Sequence, residues 1–526
     1  VNWKKRLSVA VMALPLAAVV GCSGSSTGSA GGGFTVASLE PDHLTPGRTA
    51  SAFEPIHALF APLTNFGNDA ELEYVQAQSV TSDDNRTWMI SLRPGWTFHN
   101  GEEVTADNFA KAWNATAYGP NAWANNGQLA IIDGYAALNP ADGDPTSTEL
   151  SGVSVVDPYT LRVTLVEPDS QFPYKLSQPG FFPLPDVAFD DFDAYDEEPI
   201  GNGPFRMDEP WQHDVSVSMS RYDDYAGDPA KSQHVTFQIY SDMTTAYTDV
   251  QAGAVDITFV AQQKFKQAKN DFGDRLVTFD AVRVDFLGFP LWDQRFQDPR
   301  IRKAISMAVD RDAINDAILG GLYRPATSLT PKTAIGGGTE GTCGQDCEFD
   351  PEQARKLLAE AGGWDGPMEL WFPTGVGYDQ TYEAIGNQLR QNLGIEEVKL
   401  ASQPGFTQFL AAVDQRKATG PFTGGWGSLY PSMQNLLTAV FTPTGEGSSS
   451  SGWYESPTVD QLLATGNLAP TPEAAVTAYK GAEQQILTDF PVVPLFFAKY
   501  ARVHSENVSN VTIGFDEVEL ADVEVR

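Results

Sequence analysis

Three short patterns carry residue types and spacings from which chemistry could be built. Gly24-Ser25-Ser26-Thr27-Gly28 has the G-x-S-x-G form that presents a serine nucleophile on a strand-to-helix elbow. It lies within a run of Ser, Gly, Thr and Ala from Ser23 to Gly33, with no strand before it and no helix after it, so an elbow has nothing to stand on. Gly336 to Gly341 has the spacing G-x-G-x-x-G, which cradles phosphate only where the loop opens a helix. Here it leads instead into a Gly-rich loop ending in Cys343 and Cys347. Those two thiols suit a local disulfide in an oxidising compartment, whereas a zinc site needs two further ligands and no histidine lies nearby.

The six histidines (43, 57, 99, 213, 234 and 504) are scattered, with no pair at i, i+4 or i, i+2, so no metal site is expected. Adjacent acids such as Asp83-Asp84 and Asp190-Asp191 are unsurprising among 68 Asp and Glu residues and mark solvated faces. No nucleophile stands beside its base. The expectation is a protein that is not an enzyme and needs no cofactor.

Charge points the same way. With 34 basic residues against those acids the net charge is −34, and no basic run occurs in the body, so nucleic acid is not a partner. A chain of 526 residues, 42% of them hydrophobic and 11% aromatic, is too long for one core and predicts two or three domains.

The N-terminus reads as an address. Lys4-Lys5-Arg6 precede an apolar stretch, Leu7 to Gly21, shorter than the roughly 20 residues that span a bilayer. It ends Val19-Val20-Gly21-Cys22, similar to a bacterial lipobox, in which Cys22 is lipidated. Residues 1–21 are then a signal peptide, and residues 22–33 a flexible tether holding the body outside the membrane.

The elements that must position any site alternate. Thr105, Asp298 followed by Pro299, Asp350 followed by Pro351, and Thr471 followed by Pro472 are helix starts. Gln353 stands where a capping box would place it. Thr87 to Leu92, Leu161 to Val166 and Val215 to Met219 alternate as strands. Interleaved helices and strands predict mixed α/β domains.

Several segments, in order, resemble the family 5 solute-binding lipoproteins of ABC importers, which include peptide and nickel binders. They are Thr97-Phe98-His99-Asn100-Gly101 through Phe109, Ile200-Gly201-Asn202-Gly203-Pro204-Phe205, Gln251-Ala252-Gly253-Ala254-Val255-Asp256-Ile257, Arg300 through Arg311, Phe349-Asp350-Pro351 through Gly362, and Pro491-Val492-Val493-Pro494-Leu495. The resemblance implies an α/β, two-lobed periplasmic-binding-protein-like fold (type II, cluster C) with an additional inserted domain. Lobe I would comprise 34–51, 181–281 and 488–526, the insert 52–180, and lobe II 282–487.

The family's cleft segment, G-W-x-x-D-Y in peptide binders, is matched by Gly425-Trp426-Gly427-Ser428-Leu429-Tyr430. The resemblance makes these six ligand-binding, with Trp426 packing on the ligand. Leu429 stands where the family has the Asp that pairs with a peptide's α-amine, and an apolar residue cannot hold an ammonium. Phe289, followed by Pro290 where the family has Asn, and Asn121 and Trp123, after the signature helix, are further ligand-binding expectations.

The implied function is an extracytoplasmic lipoprotein, anchored through Cys22 and acting as a monomer. It captures a solute, first a peptide, and delivers it to ABC permease subunits. A neutral solute such as an oligosaccharide is the alternative that Leu429 keeps open. A nickel chelate receptor and a secreted hydrolase rank lower, since histidine is scarce and no nucleophile–base pair is signalled.

Overall fold

The structure is a computed structural model that describes residues 32–526, except 68, 69, 339, 340, 375, 376, 446 and 516. The signal peptide, the lipidation at Cys22 and nearly all of the tether lie outside the described residues.

Two long strands, Leu276–Gly288 and Val492–His504, run antiparallel at the centre of the main sheet. Both are rich in Val and Phe, as strands buried on both faces require. The sheet spreads from this pair in both directions. Beside Val492–His504 lie Ile257–Phe259, Gly33–Ser38, His234–Ile239, Ser216–Arg221 and Phe205–Met207. Beside Leu276–Gly288 lie Phe422–Gly427, Met368–Pro373 and Val398–Gln403. The register of the central pair shifts between Asp280 and Val284 and again between Asp285 and Phe286. Such irregularities bend and twist a ladder locally.

A separate four-stranded antiparallel sheet has the order Ala77–Thr81, Thr87–Leu92, Thr160–Thr164, Val153–Asp157. Helix Ala106–Ala117 packs on it and begins with a reciprocal capping box between Thr105 and Asn108. Trp88, Ile90, Phe109 and Trp113 of this unit share one apolar core with Phe34, Val36, Val235 and Phe237 of the main sheet. A second core gathers Phe286, Ile305, Leu389, Leu437 and Phe497 on the other side.

The expected helix starts form as capped ends. Asp298 accepts from the Arg300 amide, Asp350 from the amides of Glu352 and Gln353, and Thr471 from that of Ala474. At Asp350 the cap is the aspartate side chain accepting two amides, and Gln353 contributes its backbone. The alternating runs are strands, with small boundary shifts: Thr160–Thr164 and Ser216–Arg221. Cys343 and Cys347 are joined as a disulfide.

Candidate functional site

Three distant parts of the chain meet around a cavity of about 400 Å³. Gly427, Ser428 and Leu429 form one wall, Phe53, His57, Phe66 and Ser177 a second, and Phe515 with Glu517 to Ala521 a third. Most of the lining is apolar or aromatic. Phe515 also borders a neighbouring cavity of about 500 Å³, where Lys332 sits 3.3 Å from an Asp280 oxygen.

The first wall follows from strand Phe422–Gly427, which pairs with the central strand so that Gly425 faces Asp285 and Gly427 faces Arg283. A Cβ on Gly425 would lie 2.7 Å from an Asp285 oxygen, so glycine lets the Arg283–Asp285 ion pair press against the strand. Beyond Gly427 the chain leaves the sheet as a short loop held by two bonds. The Ser428 amide donates to Val282 O at 2.8 Å, and the Leu429 amide to Asn435 Oδ1 at 3.1 Å. That same oxygen accepts from Trp426 Nε1 at 2.9 Å. Asn435, on helix Met433–Phe441, therefore sets both the indole and the loop.

The expected site residues divide in two. Gly427, Ser428 and Leu429 line the cavity, and Leu429 is 43% exposed there, well above the usual burial of a leucine. Gly425 and Trp426 lie just behind them, and the Trp426 ring packs on the second core rather than lining the cavity. Tyr430 is buried against Phe66 and Tyr174. Asn121, Trp123 and Phe289 lie elsewhere. The Asn121 side chain donates to Ala115 O at 2.8 Å and finishes helix Ala106–Ala117. Trp123 stacks edge-on to Phe192, and a Cβ on Gly47 would come within 2.5 Å of its ring, so this tryptophan fills a packed joint. Phe289 is fully buried against Phe296.

The third wall carries groups that sequence reasoning passed over. Around residues 512–515 and 517–519 the chain folds back as a tight hairpin, with the Gly514 amide donating to Glu517 O at 2.8 Å and the Glu519 amide to Thr512 O at 3.0 Å. Glu517 and Glu519, two apart, both line the cavity. Glu517 Oε2 is 2.5 Å from His57 Nδ1. Burial pulls the His57 pKa down, but Glu517, together with Glu519 and Glu54, outweighs it, so the pKa is raised. Burial, together with Asp522, Glu517 and Glu73, pushes the Glu519 carboxyl up to about 7. Nothing local announces these residues, because an acid among 68 and a histidine among six look like any other.

The loop wall also docks. Ser432 Oγ donates to Gln171 Oε1 at 2.7 Å, Gln434 Nε2 to Asp169 Oδ1 at 3.1 Å, and Lys175 Nζ pairs with Asp169 at 2.6 Å.

A model of the bacterial extracellular solute-binding proteins, family 5, matches residues 71–448. The chain belongs to that family. This solute-binding protein is 26% identical over 503 residues to the dipeptide-binding protein DppE of Bacillus subtilis, covering 92% of this chain and 90% of the relative. It is 27% identical over 476 residues to the periplasmic murein peptide-binding protein MppA of Escherichia coli, covering 87% and 86%. The unliganded open form of MppA superposes with a TM-score of 0.80 at 22% identity, over 94% of this chain and 98% of that one. The fold is thus the mixed α/β fold of a periplasmic binding protein.

Proposed function

We propose that this solute-binding protein captures a peptide between two closing lobes outside the cytoplasm and delivers it to an ABC importer, held at the membrane by lipid on Cys22. One observation carries the reading. The cavity is walled by the Gly427–Leu429 loop, by Phe53, His57, Phe66 and Ser177, and by the C-terminal hairpin. A ligand there would touch every part that must move together, which is how binding energy favours a closed state. Relatives named for dipeptide and murein peptide binding support peptide as the first solute class. The register shifts at Asp280 to Phe286 support the proposed division near residue 281, where two strands would act as the hinge.

Native mass spectrometry of the protein purified without denaturation tests this. Co-purified peptides, or calorimetric binding of short peptides, are the expected result. A single non-peptide mass, with no peptide binding, would replace the reading with a neutral-solute receptor. The apolar, exposed Leu429 favours that second reading.

A further inference from the structure

The cavity holds charge of one kind in excess. Among its described lining residues the ionisable groups are His57, Tyr225, Glu517 and Glu519, with no lysine or arginine. His57 and Glu517 are in contact and answer one another. Glu519 makes no hydrogen bond or close ion pair among the described residues; His57 attracts it from a distance, and it lines the cavity.

The fold makes room for that carboxylate. A Cβ on Gly514 would lie 1.7 Å from Glu519 Oε1, so only glycine across the hairpin lets the acid lie where it does. The loop at Leu429 lines the same cavity, so an acid of the C-terminal hairpin shares the space that Leu429 leaves without a charge.

We propose that Glu519, assisted by Glu517, is the specificity-determining anchor for a cationic amine of the ligand, supplied from the C-terminal hairpin in place of an acid at position 429. This rests on the peptide reading above. The carboxyl that burial and neighbouring acids hold partly protonated near pH 7 gives its proton to solvent when an ammonium arrives, since an opposite charge favours the ionised form. Binding of a free-amine peptide at pH 7 therefore releases protons, whereas binding of its acetylated form does not.

The test uses a tryptic digest of casein, native or N-acetylated, with binders identified by native mass spectrometry. The best binder is then synthesised in both forms for calorimetry in two buffers of different ionisation enthalpy. Against the full chain, the free-amine form should bind about tenfold to hundredfold more tightly than the acetylated form, as a charge-assisted bond implies. Glu519→Gln, which keeps the shape, should abolish that difference and the proton release. Gly514→Ala, which displaces the carboxylate without removing it, should reduce both. Equal binding of the two forms by the unaltered protein, or an undiminished preference in Glu519→Gln, overturns the anchor while leaving the peptide reading intact. No binding of any digest component in either form overturns the peptide reading, and the anchor with it.

Discussion

His57 Nδ1 lies 2.5 Å from Glu517 Oε2, although 460 residues separate them in the chain. The contact ties helix Phe53–Leu59 to the C-terminal hairpin, and both residues line the cavity.

This pair should make stability depend on pH. The His57 pKa is raised above 6.5 in the folded chain, so its contribution is complete below that value and is lost as pH rises through the raised one. Glu519 acts in the same direction. Its value rises from 4.5 to about 7, so the folded chain keeps a proton that the unfolded chain releases, and folding is disfavoured as pH climbs through that window. Thermal midpoints of the unliganded protein should show His57→Ala destabilising more at pH 6 than at pH 9. Glu519→Gln should stabilise at pH 8 and change little at pH 4. A drop in midpoint for Glu519→Gln at pH 8 would contradict this account.

Asn435 should matter to both the fold and the cavity. Replacing it with Leu strands the Trp426 indole N–H and the Leu429 amide together. A fully buried donor left without a partner costs about 1–3 kcal/mol, and these two are only part-buried, so water satisfies some of what each loses. Urea unfolding should show a combined loss of about 1–3 kcal/mol, and solute affinity should fall because the loop is released. Unchanged affinity would mean the loop does not read the solute.

Lys175 and Asp169 pair at 2.6 Å with side chains only 14% and 10% exposed. Burial opposes the charge on Lys175, yet Asp169 more than compensates and raises its pKa. Lys175→Met should cost about 3–5 kcal/mol, because it leaves a buried carboxylate uncompensated. Adding Asp169→Leu to that variant should recover part of the loss, and chemical denaturation of the single and double variants measures the coupling.

The disulfide spans a separation of four residues. Loop-closure entropy for so small a ring gives about 2 kcal/mol at most. Cys343→Ala with Cys347→Ala should therefore lower the unfolding free energy by no more than that. Solute binding should be unaffected, since neither cysteine lines the cavity.

Legibility followed range. Thr105, Asp298, Asp350 and Thr471 could be read as helix starts because a cap and the amides it satisfies lie within three residues. The alternating strands were readable for the same reason, with ends displaced by a residue or two as ladders formed with distant partners. The motif at Gly425–Tyr430 could be read from the sequence, but which of its residues border a cavity depends on what packs beside them. Trp123 meets Phe192 and Gly47, and Trp426 meets Asn435 and Gly447.

By itself the sequence determined the α/β character, the order of its elements and the family, because periodicity, caps and ordered motifs are local properties of the chain. Tertiary structure alone decided which side chains share the cavity. His57, Leu429 and Glu519 lie far apart in the chain and line one cavity only in the folded molecule. Electrostatic partnership depends on distance in space, and no spacing along the chain encodes it.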